Sequence, residues 1–245
     1  MITKIYGINT VLEALSSGNQ TVEKVYIQEG RRDKRIREVI EHAKDRKAKI
    51  FFLNKAALNR KFDKINHQGV IAEVSDFKYY SIDEILNKRG EKTFLIILDS
   101  IQDQQNFGSI IRTAEFFGAH AIIITKDKNA KVTETTAKVS AGSVFHIPVV
   151  KEVNLSTVIA KLKDEFFTIV ATSPEGKDDI SCVKELDNIA LIIGNEEKGI
   201  RRNLLNKSDY TLGISPLGVT ASLNASASAA IFIYQISKVF CNASS

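Results

Sequence analysis

Five consecutive apolar residues, Phe94-Leu95-Ile96-Ile97-Leu98, end at Asp99 and run into a polar loop, Ser100 to Asn106. A run so short and so uniformly apolar reads as a strand covered on both faces. Ile110, Ala114 and Phe117 then recur at helical spacing, and Gly118 follows where a C-terminal cap glycine belongs. This order sets Asp103, Asn106, Gly108 and Arg112 beside the carboxyl end of a strand, where open α/β sheets bind ligands. The same residues read equally well as a helix cap, a flexible turn and a solvated arginine. A functional reading needs partners elsewhere in the chain.

The alternation continues to the C-terminal end. Strands are predicted at 94–98, 119–125, 146–150, 167–172, 189–193 and 210–214. Helices are predicted between them at 107–117, 133–141, 154–165 and 200–207, with a long one at 222–240. Runs such as Ala121-Ile122-Ile123-Ile124 are apolar throughout, so the expected class is α/β: a Rossmann-like, mostly parallel sheet with helices on both sides. No GxGxxG follows the first strand, which removes the ordinary dinucleotide fingerprint and counts against an oxidoreductase.

The first 75 residues follow the same alternation on a smaller scale. Residues 4–18 read as a helix ended by Gly18, Val22–Gln28 as a strand, and Asp33–Arg46 as a charged helix with Ile36, Val39, Ile40 and Ala43 on one face. Lys49–Leu53 and Val70–Val74 read as strands flanking a short helix at Lys55–Phe62, which makes a small α/β/α module. His67-Gln68-Gly69 precedes the last strand, and nothing supplies that histidine with metal-ligand neighbours. The polar stretch Ser75–Lys92 reads as a linker, giving domains at 1–75 and 93–245 with a connection at 76–92.

Charge separates the two parts. Residues 24–64 hold fourteen Lys or Arg against six Asp or Glu, a net +8 in a chain whose total is +5, so the remainder carries −3. A basic module on a nearly neutral one calls for a polyanionic partner, nucleic acid first, although runs such as Arg31-Arg32-Asp33-Lys34-Arg35 mix signs as a solvated helix face does. No apolar run reaches membrane-spanning length, and Met1-Ile2-Thr3-Lys4 leads into no signal-peptide core. Cys182 and Cys241 lie far apart, without metal-ligand spacing. The expectations are a cytoplasmic protein with reduced thiols, no metal and no membrane partner.

Two later stretches bear on the first. Gly194-Asn195-Glu196-Glu197-Lys198-Gly199 follows an apolar strand, with glycines that permit close backbone approach. Ile214-Ser215-Pro216-Leu217-Gly218-Val219-Thr220-Ala221-Ser222-Leu223-Asn224 leaves another strand and opens a helix dense in small residues. Each alone is an ordinary turn or a tightly packed helix start.

In order, D-x-x-N-x-G-x-x-x-R-T-A-x-x-F-G, G-x-E-x-x-G and I-x-x-x-G-x-x-x-S-L-N resemble the SpoU class of RNA ribose 2′-O-methyltransferases over residues 94–240. Within that class, Tyr6-Gly7 and His67-Gln68-Gly69-Val70 look like the small RNA-binding domain of the bacterial 23S rRNA guanosine enzymes, a domain similar to ribosomal protein L30e. Two loop positions depart from the class pattern: Gln104 follows Asp103, and Ser215 follows Ile214, where proline is usual.

The resemblance implies a C-terminal deep trefoil knot, a homodimer, and S-adenosyl-L-methionine held near Thr172, Gly194, Ile214 and Leu223. It implies a catalytic set of Asn106, Arg112, Glu196, Ser222 and Asn224, with Arg112 beside the attacking hydroxyl and Glu196 orienting it. The implied substrate is a guanosine ribose in 23S rRNA. A tRNA guanosine, a resistance-type 23S rRNA site, and an RNA-binding assembly factor without catalysis are the alternatives.

Overall fold

The protein is described as a computed structural model over residues 3–31, 33–62, 65–184, 186–219 and 222–242. The chain divides into two units, Met1–Lys78 with Lys131–His146, and Tyr79–Ala130 with Ile147–Ser245.

The first unit opens with β1 (Lys4–Tyr6), α1 (Ile8–Ser17), β2 (Val22–Gln28), α2 (Lys34–Asp45), β3 (Lys49–Leu53), α3 (Lys55–Lys61) and β4 (Val70–Val74). The helix expected from residue 4 begins only at Ile8, because Lys4–Tyr6 pairs antiparallel with β4. Ile5 and Ile8 stand three apart and so extend the helical pattern falsely, while Gly7, at φ 95°, breaks the backbone between strand and helix. The sheet order is β1-β4-β2-β3, antiparallel except for the parallel pair β2 and β3. Asp33 caps α2 by accepting the Ile36 N–H at 3.2 Å, and α2 buries Ile36, Val39 and Ala43. Leu58 of α3 and the adjoining Phe62 pack with Tyr26 and Ile71.

The second unit begins earlier than the expected boundary. The supposed linker contains α4 (Ile82–Leu86), started by a capping box between Ser81 and Glu84. Ile82, Ile85 and Leu86 are buried in this unit's core, so three well-spaced apolar residues outweigh the polar composition around them. Next come β5 (Thr93–Asp99), α5 (Gln104–Phe116) and β6 (Ala121–Thr125). The helix expected next as a layer of this sheet, α6 (Glu134–Val139), belongs instead to the first unit, where it packs against β1. Amphipathic spacing shows which face of a helix is apolar, not which sheet that face covers.

The remaining elements are β7 (Val149–Glu152), α7 (Leu155–Asp164), β8 (Thr168–Thr172), β9 (Asn188–Gly194), α8 (Arg202–Leu205), β10 (Tyr210–Leu212) and α9 (Ala225–Asn242). All six strands of this sheet run parallel in the order β10-β8-β9-β5-β6-β7. The centre is the β5–β9 pair, in register from Thr93 against Asn188 to Asp99 against Gly194. Leu95, Ile97, Ala190 and Ile192 pack with α4, α7 and α8. Helices α5 and α9 pack on each other, and Phe94 meets Phe240 at 6.1 Å. Helices therefore cover both sheet faces, as continuously apolar strands require.

Among the described residues no helix is long and apolar enough to cross a membrane. Cys182 is a free thiol, and the Cys241 side chain lies outside the described residues.

Candidate active site

The carboxyl end of β5 is fixed from two sides. Asp99 has no exposed surface and accepts the Arg201 backbone N–H at 2.9 Å and Arg201 Nε at 2.8 Å. A carboxylate removed from water needs such a partner, and this pair joins the end of β5 to the start of α8. Asn129 holds the loop that follows: its Oδ1 accepts from the Ile101 N–H at 2.7 Å, and its Nδ2 donates to the Leu98 carbonyl at 2.9 Å. Sequence reasoning missed Asp99, Arg201 and Asn129 as site-shaping residues. The one available signal was a charged residue closing an apolar strand.

Beside it, β9 ends at Gly194 and turns back within five residues. Reciprocal backbone bonds join Asn195 to Gly199 at 3.2 and 2.9 Å. Asn195 Oδ1 accepts from the N–H groups of Glu197 and Lys198, and its Nδ2 donates to the Ser100 carbonyl at 3.1 Å. A Cβ on Gly194 would lie 2.4 Å from the Gly199 carbonyl carbon and 2.5 Å from the Ile200 nitrogen. The close approach for which this glycine is needed is made by the chain's own backbone.

Glu196 sits on that turn. Its Oε1 accepts from Asn106 Nδ2 at 2.7 Å and from the Ala225 N–H at 3.0 Å. One carboxylate oxygen thus ties the first turn of α5, the turn after β9 and the N-terminus of α9, where the helix dipole favours negative charge. Asn106 can reach because Asp103, not Asn106, caps α5: Asp103 Oδ1 accepts the Asn106 N–H at 2.8 Å, leaving the amide side chain for Glu196. Asn224 caps α9, its Oδ1 accepting the Ala227 N–H at 2.8 Å.

A cavity of about 550 Å³ opens where β8, β9 and β10 end and α9 begins. That is within the usual range for a small-molecule site. Thr172, Gly194, Ile214 and Leu223 all line it, together with Glu196, Ser222, Pro216 and Phe232. The Thr172 hydroxyl donates to the Ile192 carbonyl at 3.1 Å, which leaves its lone pairs free to accept.

The other proposed catalytic residues stand apart from this lining. Asn106 reaches it only through Glu196, and the Asn224 side chain is engaged in capping. Arg112 is exposed on α5 and has no hydrogen-bond or ion-pair partner among the described residues. Six residues separate it from Asn106, about 120° around the helix, so the two leave α5 in different directions. The expected contact of Glu196 with Arg112 is replaced by the contacts to Asn106 and Ala225. Among the described residues no group of His, Cys, Asp or Glu could hold a metal ion.

The family model of the SpoU rRNA methylases matches residues 93–234, which includes every strand and loop of this site. The chain belongs to the SpoU rRNA methylase family. A second model, for RNA 2′-O ribose methyltransferase substrate binding, matches residues 4–80. A protein of Staphylococcus aureus named for the TrmH family of tRNA/rRNA methyltransferases is 34% identical over 237 residues, covering 96% of this chain and 95% of its own.

The SpoU methyltransferase AviRb of Streptomyces viridochromogenes, solved with AdoMet, superposes with TM-score 0.79 at 23% identity, covering 96% of this chain and 89% of that one. An AdoMet-bound rRNA methyltransferase of Sinorhizobium meliloti gives 0.78 at 21% identity, covering 96% and 87%. The SpoU family fold thus extends over nearly the whole chain, and the family's chemistry is RNA ribose 2′-O-methylation.

Proposed function

We propose that this protein transfers a methyl group from S-adenosyl-L-methionine to the ribose 2′-OH of a guanosine in 23S rRNA. The observation that carries the reading is the Glu196 junction, which joins Asn106 and the α9 N-terminus at the edge of the 550 Å³ cavity. The lining fits the donor: Ile214, Leu223 and Phe232 offer apolar surface, and Glu196 offers negative charge toward a sulfonium. Thr172, Gly194, Ile214 and Leu223 form the donor site in this reading. When bound, S-adenosyl-L-methionine supplies an electrophilic methyl on a cationic sulfur.

The chain's task is then to hold a ribose oxygen in line and assist loss of its proton. Asn106, fixed by Glu196, orients the ribose, and Ser222 with the Asn224 cap completes the wall. Arg112 anchors a substrate phosphate rather than serving as a base, because a guanidinium stays charged at ordinary pH. The proton passes to water or a nearby carboxylate.

Ribosomal RNA is favoured by the basic segment at 24–64 and by the likeness, over 96% of this chain, to an enzyme described as an rRNA methyltransferase. The N-terminal unit is proposed as an L30e-like RNA-binding module. The C-terminal part is proposed to be threaded as a trefoil knot. A Cβ on Gly176 would lie 2.3 Å from the Leu212 carbonyl carbon, a closeness suited to one strand of chain passing another. Single-molecule pulling from both termini checks this, since a knotted chain stops short of its full contour length.

A homodimer is proposed across α5 and α9, where Phe116 is 77% exposed beside Phe117, and Phe117 meets Tyr234 at 5.5 Å. Phe116→Asp should convert the dimer to monomer in sedimentation equilibrium, and an unchanged mass would refute that interface.

The deciding experiment is transfer of labelled methyl into 23S rRNA and bulk tRNA lacking the modification, with the 2′-O-methyl site mapped. A single labelled guanosine in 23S rRNA supports the reading, and label in tRNA moves the substrate. Tight RNA binding without label in either favours an assembly factor.

A further inference from the structure

The +8 segment includes a sheet edge that the fold leaves partly uncovered. In the first unit β3 is the outermost strand, and its Lys49, Phe51 and Phe52 are all exposed. Two adjacent exposed phenylalanines on an edge strand invite aggregation unless a partner uses them.

The register decides which residues act together. Lys24 stands opposite Lys49 and Tyr26 opposite Phe51, so all four lie on one face, the face carrying Leu58 and Phe62. Helix α3 is only seven residues long, and it leaves Phe51 40% exposed. The ring of Phe51 stacks on Tyr26 with centroids 5.2 Å apart and planes 19° apart. Phe62 meets the far side of this aromatic group, 5.0 Å from Tyr26 and edge-on. Tyr26 itself is locked: its hydroxyl donates to Glu73 Oε1 at 2.8 Å, and Glu73 pairs with Lys24 at 2.6 Å.

The outer ring is therefore held flat by a buried one whose position is fixed by hydrogen bonding. Cations flank it. Lys61 Nζ lies 5.2 Å from the Tyr26 ring, and Lys49 is two residues from Phe51 along the strand. Glu73 pairs with Lys24, and among the described residues neither Lys49 nor Lys61 forms a salt bridge, although the charge of Lys61 also acts on Glu73.

A rigid ring open on one side, bordered by lysines on a four-stranded sheet, suits an unpaired nucleobase better than duplex. Each base has a face to stack, and the adjacent phosphates meet the lysines. We propose that the β2–β3 face is a landing site for single-stranded RNA, with one unpaired base stacked on Phe51 and its flanking phosphates held by Lys49 and Lys61. The proposal rests on RNA being the substrate and adds where and in what form part of it is gripped. A protein partner or a second copy would gain little from the lysines, whereas a polyanion complements them.

The chain has no tryptophan, so Phe51→Trp introduces a single indole at the proposed contact. Titrating full-length Phe51→Trp with a short single-stranded oligoribonucleotide should quench that fluorescence saturably. The same sequence as a blunt duplex, or inorganic polyphosphate, should quench little. Phe51→Leu, which keeps apolar bulk and removes the ring, should weaken single-strand binding about tenfold while methyl-donor binding stays unchanged.

Equal quenching by polyphosphate, or wild-type single-strand affinity in Phe51→Leu, would overturn the proposal while methyl transfer to RNA by the wild type left the enzyme reading standing. A change of oligomeric mass in Phe51→Leu without loss of RNA affinity would overturn it too, in favour of a second copy. Loss of all RNA binding and transfer in the wild type would remove the enzyme reading itself.

Discussion

The two sheets of this protein solve the same problem in opposite ways. Every residue of β5 is buried, and both its faces are covered by helices. In the first unit β3 keeps three of five residues exposed, under a helix too short to cover it. The doubly covered sheet can offer a ligand only the ends of its strands. There the loops after β8, β9 and β10 converge on a half-open cavity of about 550 Å³, suited to a small molecule. The half-covered sheet offers a face, suited to a polymer that arrives from solvent. One chain thus supplies a concave site and an open one from the same alternation of strands and helices, and helix coverage makes the difference.

Substitutions should separate the two. The largest effect is expected at Gly194, where any side chain meets the backbone of Gly199 and Ile200. Gly194→Val should reduce methyl-donor affinity and transfer by about 100-fold or more in calorimetry and turnover assays, given the usual cost of overpacking. It should leave RNA binding by the open face intact. Equal loss of both would mean that the two sites are not separable.

Arg112→Lys comes next. It should lower kcat about 100-fold with donor affinity unchanged, because an ammonium cannot reproduce the two-pronged grip of a guanidinium on phosphate. Near-wild-type turnover would remove Arg112 from the mechanism.

The smallest effect is expected in the first unit and depends on pH. His67 Nδ1 accepts the Gly69 N–H at 2.8 Å while Nε2 faces Asn59 Oδ1 at 3.0 Å, an arrangement that needs the neutral ring with its proton on Nε2. Burial, helped by the charge of Lys55, holds the His67 pKa below its ordinary 6.5. Above pH 6.5 neither the folded nor the unfolded form binds this proton, and the stabilisation is complete. As pH falls from 6.5 through the lowered folded value, the unfolded chain takes up the proton first and stability declines. Thermal melts from about pH 8 to about pH 5 should show a steeper acid loss in the wild type than in His67→Asn. Parallel curves would discard the assignment.

Much of this was legible from residue order. Strands were expected near all six positions of the second sheet, and for β5, β6 and β9 a continuous apolar run marked them, because burial on both faces leaves a direct mark on composition. Thr172, Gly194, Ile214 and Leu223 come to one cavity because the first two end β8 and β9 and the others lie on the segment after β10, all strands of the same parallel sheet. The basic segment was visible as charge alone.

Other features were beyond any local pattern. Nothing in residues 133–141 tells whether that helix covers one sheet or the other, since amphipathic spacing is the same for both. The contacts of Glu196 with Asn106 and the Ala225 N–H join positions 90 and 29 residues away, and Arg112 was the more obvious partner by charge. The Tyr26–Phe51 stack depends on the register of β2 against β3, which neither strand carries in its own sequence. The sequence by itself determined which segments become strands and helices and where polar groups fall along them, because those follow from the period of apolar residues. Only the tertiary structure decided which helix covers which sheet, which carboxylate meets which amide and which aromatic face stays open, because those depend on chain segments brought together only when the core closes.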